Sequence, residues 1–84
     1  MTKHLDRIHG LWCIVPGCDE PNVEAHHVEH IRKNGDWSAV PLCYYHHRGP
    51  NGVHGLSRRG FERVYKLSEI DLLCLTIKAL YESR

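Results

Sequence analysis

The sequence contains no secretory hydrophobic core segment and no apolar run of about 18 residues that could span a membrane. It has no internal repeat, no low-complexity stretch and no linker that would divide it. These absences predict one domain, in the cytoplasm, with its thiols reduced. A Cys-x2-Cys in a βαβ context is also missing, which disfavours a thiol-redox protein. Net charge is low, at +1. With 84 residues, a single core buries only about 60% of the extended chain's surface and stabilises it marginally. Something other than apolar burial is expected to staple it.

Cysteine and histidine are the excess. The chain has four Cys and eight His, and most of them fall at ligand-type spacings: Cys13-x4-Cys18, then His26-His27, then Cys43-x2-His46-His47, with His54 beyond. Four Cys allow three disulfide pairings, but Cys13, Cys18 and Cys43 each lie in a ligand-like spacing. Cys74 instead sits in a Leu-rich segment and reads as a small buried hydrophobe. Zinc takes thiolate and imidazole tetrahedrally, so Cys13, Cys18, Cys43 and His46 form a complete Cys3His set. A closed shell of this kind leaves no position for water and predicts a structural ion. His26 and His27 are neighbours on a predicted strand, so their side chains diverge and must do different jobs. One can ligate a second ion while the other stays free as a general base on water. His47, about 100° around a helix from His46, can turn back toward His26.

Between these positions the sequence predicts an α+β fold. Residues 1–10 read as a polar, loose lead-in, and Pro16-Gly17 makes the turn of a metal knuckle. Val23 to Ile31 reads as a strand ending at the hairpin signal Asn34-Gly35, with Asp36 to Val40 returning and Trp37 packing one face of the ribbon. Pro41 suits the first turn of a helix running through Cys43 to Arg48, ended by Gly49-Pro50-Asn51-Gly52. A basic helix follows from Ser57 to Leu67, with Phe61, Val64 and Tyr65 at core spacing. Ser68-x-x-Asp71 is a capping box for a last helix reaching Glu82, whose apolar face is Ile70, Leu73, Cys74, Ile77, Leu80 and Tyr81. The core unit is expected over residues 11–67, with the helix of 68–84 packed on it.

The modest net charge conceals an asymmetry. Residues 32–66 carry seven basic and two acidic side chains, a local +5, whereas residues 1–31 carry two basic and five acidic ones. Positive charge thus follows the histidines, where an anionic polymer would be drawn. Arg58, Arg59, Arg63 and Lys66 of the basic helix are the expected contacts to the backbone phosphates of such a polymer, the alternative being a solvated helix face. With no recognition-helix pattern and no long basic arm, binding should be salt-sensitive and sequence-tolerant.

The knuckle, the His-His strand end, the hairpin and Pro41-Leu42-Cys43-x-x-His46-His47 together resemble the HNH nucleases, whose ββα-metal core cuts phosphodiesters. The run from Ala25-His26-His27 through Val40-Pro41-Leu42-Cys43 to Gly52-Val53-His54-Gly55 and Arg59-Gly60-Phe61-Glu62-Arg63-Val64-Tyr65 is similar to the phage and prophage recombination-enhancement nucleases of the Ref type, which act with RecA. The resemblance covers residues 11–67. It implies that His26, His47 and His54 hold a catalytic divalent ion, that His27 is the general base, and that Ser38 stands near the Asn that orients the base. A Ser hydroxyl is shorter than that carboxamide, so a backbone carbonyl or Asp36 could orient the base instead. Nitrogen ligands favour Zn, Ni, Co or Mn over Mg in vitro, although Mg is far more abundant in cells. The implied setting is a bacterial or phage-infected cell, with DNA as substrate and a RecA filament as partner. The rival reading is a non-catalytic zinc module that binds nucleic acid or a protein.

Overall fold

A computed structural model describes residues 3–82; Met1, Thr2, Ser83 and Arg84 lie outside the described residues. The elements are α1 (Lys3–His9), β1 (Glu24–His27), a 3-10 stretch (Glu29–Ser38), β2 (Ala39–Leu42), α2 (Tyr44–His47), α3 (Val53–Tyr65) and α4 (Glu69–Glu82). The predicted α+β class holds as a small two-stranded antiparallel ribbon surrounded by helices. Glu24 pairs with Leu42, Ala25 with Pro41, His26 with Val40 and His27 with Ala39. The core gathers around the ribbon: Val28, Val40 and Leu42 meet Phe61 of α3 and Leu72 of α4, all essentially inaccessible to solvent.

Four local expectations are corrected. The lead-in is a helix for Lys3–His9, because Ile8 is fully buried and fixes that turn against the ribbon. The connector between the strands is not a tight hairpin turn but 3-10 backbone interrupted at Ile31 and Gly35. Ile31 packs onto the core, Asn34 donates to the Ile31 carbonyl at 3.0 Å, and Gly35 supplies the positive φ of 62° that this path needs. Trp37 is correspondingly exposed and lies against His4, ring centroids 4.5 Å apart, rather than covering the ribbon. Pro41 belongs to β2 instead of a helix. Its missing N–H costs nothing at this ribbon position, and its carbonyl accepts from Ile14 N at 3.0 Å, which ties the knuckle to the strand. The helix therefore begins only after Cys43, which caps it in an extended conformation.

The helices after residue 52 are also displaced from expectation. α3 starts at Val53 and breaks at Ser57, which takes φ 68° and accepts the Gly60 N–H on its Oγ at 3.3 Å, so Ser57 begins a second helical segment. Phe61 is buried as expected, and Tyr65 packs on it at 4.4 Å between centroids and donates its hydroxyl to Asn51 O. Val64, expected in the core, is exposed. The capping box of α4 forms in both directions, Asp71 N to Ser68 Oγ at 3.0 Å and Ser68 N to Asp71 Oδ2 at 2.9 Å. Its buried face, however, is Glu69, Leu72 and Thr76, while Ile70, Ile77, Tyr81 and Cys74 are exposed. Glu69 turns inward to meet His26, and the helical period then carries Leu72 and Thr76 to the ribbon and rotates the predicted face toward solvent. Cys74 is thus an exposed thiol rather than a core residue.

Candidate metal centres

The first cluster is built by two short local structures. Gly17, at φ 85°, turns the chain between Cys13 and Cys18; Cys18 N donates to Val15 O at 3.0 Å and Cys13 N to Glu20 O at 2.9 Å, which closes the knuckle. Cys43 caps α2 and His46 lies one turn along it. Cys13, Cys18, Cys43 and His46 offer ligand atoms that all lie within 4.8 Å of one another. The Sγ atoms of Cys18 and Cys43 are 3.9 Å apart, and His46 Nδ1 lies 3.6 Å from Cys13 Sγ and 3.3 Å from Cys43 Sγ. Bonds of about 2.3 Å to sulfur and 2.05 Å to nitrogen in a tetrahedron imply edges of about 3.8 Å and 3.6 Å, so the donors fit one ion. Burial pushes the Cys13 thiol up to about 12 against backbone hydrogen bonds from Cys43 and Val15 that pull it down, with a smaller upward push from the charges of the Cys43 and Cys18 thiols. A thiolate here therefore calls for a cation beside it. Burial also lowers the pKa of His46, which favours the neutral imidazole that ligation requires.

The second cluster joins three elements. His26 on β1, His47 on α2 and His54 on α3 bring their ring nitrogens within 4.8 Å of one another. His47 Nε2 and His54 Nε2 are 3.2 Å apart, close to the roughly 3.3 Å edge of two nitrogens about a tetrahedral ion. Close backbone packing makes this possible. A Cβ at Gly55 would meet Gly49 O at 2.3 Å and Pro50 O at 2.6 Å, so only glycine lets the start of α3 lie on the loop that follows α2 and set His54 beside His47. His47 Nδ1 contacts Glu24 Oε1 at 2.7 Å. A neutral His47 that donates from Nδ1 keeps its Nε2 lone pair for an ion, the usual carboxylate–histidine–metal pattern. Arg48 holds the same carboxylate from Nε at 3.1 Å and from its terminal nitrogen, and the Arg48 and His47 contacts keep Glu24 below the ordinary carboxylate range. Burial lowers the pKa of His26, against the opposing pull of Glu69.

His27 belongs to neither cluster. It faces away from His26, is about one-third exposed, and has Asp36 Oδ1 3.0 Å from its Nε2. With Nε2–H given to Asp36, Nδ1 is the free basic nitrogen. Ser38 stands elsewhere: it is fully buried and its hydroxyl donates to Gly35 O at 2.8 Å, so the side chain that holds His27 is Asp36.

The four basic side chains of α3 divide between two surfaces. Arg58 lines an open cleft of about 390 Å³ with His26, His54, Glu29 and Glu69, and its guanidinium lies 3.3 Å from His30 Nδ1. Arg59, Arg63 and Lys66 line a separate depression with Glu62. Sequence reasoning did not find Glu24, Arg48 or Glu69. Glu24 had a signal, since residues two apart on a strand share a face with His26. Glu69 had none, being 43 positions from the histidine it meets.

No family model, curated protein or solved structure matches the chain. Among the described residues no helix is long and apolar enough to cross a membrane.

Proposed function

We propose that the chain is a metal-dependent DNA endonuclease of the HNH type, with a ββα-metal core made of the ribbon and α2. The observation that carries this reading is the division of labour among neighbouring histidines: His26, His47 and His54 converge, while His27, adjacent to His26 in sequence, stays outside the cluster, about one-third exposed and held by a carboxylate. A purely structural zinc module needs the first cluster but not the second. The Cys13, Cys18, Cys43 and His46 set is assigned to zinc, whose preference for thiolate and imidazole it matches, and a closed shell of this kind gives it a structural role.

An ion held by His26, His47 and His54 would supply Lewis-acid neutralisation of the charge that develops on a phosphodiester in hydrolysis. His27 takes the proton of the attacking water on Nδ1, and Asp36 holds the opposite N–H and stabilises the imidazolium that results. Arg58, beside the histidines in the cleft, meets backbone phosphate near the scissile bond, and Arg59, Arg63 and Lys66 hold the flanking strand. Neutral imidazole donors with carboxylates behind them suit Mn, Zn or Ni in vitro, with Mg the abundant cellular alternative. The biological setting proposed, DNA recombination or processing in phage or prophage, follows from the resemblance to Ref-type nucleases. Plasmid nicking measured with Mg2+, Mn2+ or EDTA, with and without a RecA filament, tests the reading. Nicking that EDTA abolishes is the expected result. No nicking under any of these conditions would favour the non-catalytic zinc module.

A further inference from the structure

Glu69 is a buried carboxylate at the first position of α4, with 4% of its surface exposed. Its Oε2 lies 2.5 Å from Nε2 of His26, which is itself buried, and its Oε1 is buried with no hydrogen-bond partner among the described residues. An acidic residue in the first turn of a helix commonly serves only the helix dipole. That role needs no burial, and here Asp71 already caps the same turn through Ser68. A carboxylate is withdrawn from water where a charge or hydrogen bonds compensate it, and half of this one is uncompensated by the protein.

The parallel with Glu24 indicates what is missing. Glu24 accepts from one nitrogen of His47, whose other nitrogen lies beside His54, and Glu69 likewise contacts one ring nitrogen of His26. We propose that Glu69 is a positioning residue of the histidine metal centre: it accepts the Nε2–H of His26, which leaves the lone pair on Nδ1 for the ion, and the nearby cation compensates its buried charge. α4 is then a component of the centre rather than an appended helix. The proposal rests on the reading that His26, His47 and His54 hold a divalent ion. Glu69 itself is not counted as a ligand, since the convergent set of donor atoms comprises the three histidines alone.

The test uses the full chain with zinc in its cysteine site and Mn2+ as the probe, because Mn2+ binds too weakly to displace zinc from thiolates. Calorimetric titration should give a Mn2+ affinity about 10- to 100-fold lower in Glu69→Ala than in wild type, with zinc stoichiometry unchanged. Glu69→Gln keeps an acceptor oxygen at the same place and should recover part of the loss. Long-range 1H–15N correlation of the histidine rings in the Mn-free wild type should show His26 with its proton on Nε2, a measurement that needs no variant. Wild-type Mn2+ affinity in Glu69→Ala, or a His26 proton on Nδ1, would overturn the proposal. Should Glu69→Ala fail to fold, the Gln variant and the tautomer decide in its place. Failure of the underlying reading looks different: Mn2+ would not bind wild type, or would bind His47→Ala equally well.

Discussion

At the level of single residues, the cysteine–histidine cluster was legible because its pairs are local in sequence. Cys13 and Cys18 lie across one turn, Cys43 and His46 across one helical turn, and spacing alone predicts that each pair converges. The residues behind the ligands were not legible to the same degree. Asp36 could be named only as an alternative to Ser38, and Glu69 reaches His26 only through the tertiary fold. The zinc assignment gives a direct expectation. Cys43→Ala removes one donor of four and opens the shell joining knuckle to α2, so the variant should lose its structural zinc and its cooperative unfolding transition. Full zinc retention with an unchanged melting curve would exclude the site. The pH dependence follows from proton competition: burial raises the Cys13 thiol to about 12, so zinc must displace its proton, and zinc affinity should fall steadily as pH is lowered. Zinc titrations at pH 6 and pH 8 would check this, equal affinities contradicting it.

At the scale of elements, existence was easier to read than orientation. The capping box of α4 and the glycine cluster after α2 were legible because each satisfies local backbone demands. The rotation of α4 was not, since Ile70, Leu73, Ile77 and Tyr81 form as good an apolar stripe as the face actually buried. One buried polar contact, Glu69 with His26, chose between the two faces. The signal Asn34-Gly35 predicted a tight hairpin turn, but the connector is 3-10 backbone in which Gly35 takes a positive φ and Ile31 packs onto the core, which the local sequence could not show. Ser68→Ala should remove one half of the capping box and cost about 1 kcal/mol in a urea titration. Gly55→Ala should cost more, about 1 to 3 kcal/mol, because the new methyl group meets backbone oxygens of Gly49 and Pro50 that cannot rotate away. It should also shift His54 from His47 and weaken the second metal site while sparing the first. Wild-type Mn2+ affinity in a folded Gly55→Ala protein would show that this packing does not set the histidine geometry.

Across the whole molecule, each of the two clusters draws on segments far apart in the sequence. The knuckle, ribbon and α2 meet through the cysteine set, and β1, α2 and α3 meet through the histidines. Basic side chains flank the second cluster, while the acidic N-terminal third contributes Glu24 to it. Arg59 and Arg63 should touch phosphate rather than bases. Replacing both with Ala is expected to weaken binding of all DNA sequences alike and to lower the slope of log K against log salt by roughly two. An unchanged slope would mean that DNA lies on another face. The central claim concerns the separation of His27 from the three histidines beside it, and plasmid nicking by His27→Ala tests it most directly. Loss of a general base costs about a hundredfold to ten-thousandfold in rate without removing a metal ligand. His27→Ala should therefore keep its fold, both metals and its DNA affinity while nicking falls by at least about two orders of magnitude. Nicking at the wild-type rate would contradict the assignment of His27 and, with it, the mechanism proposed for this chain.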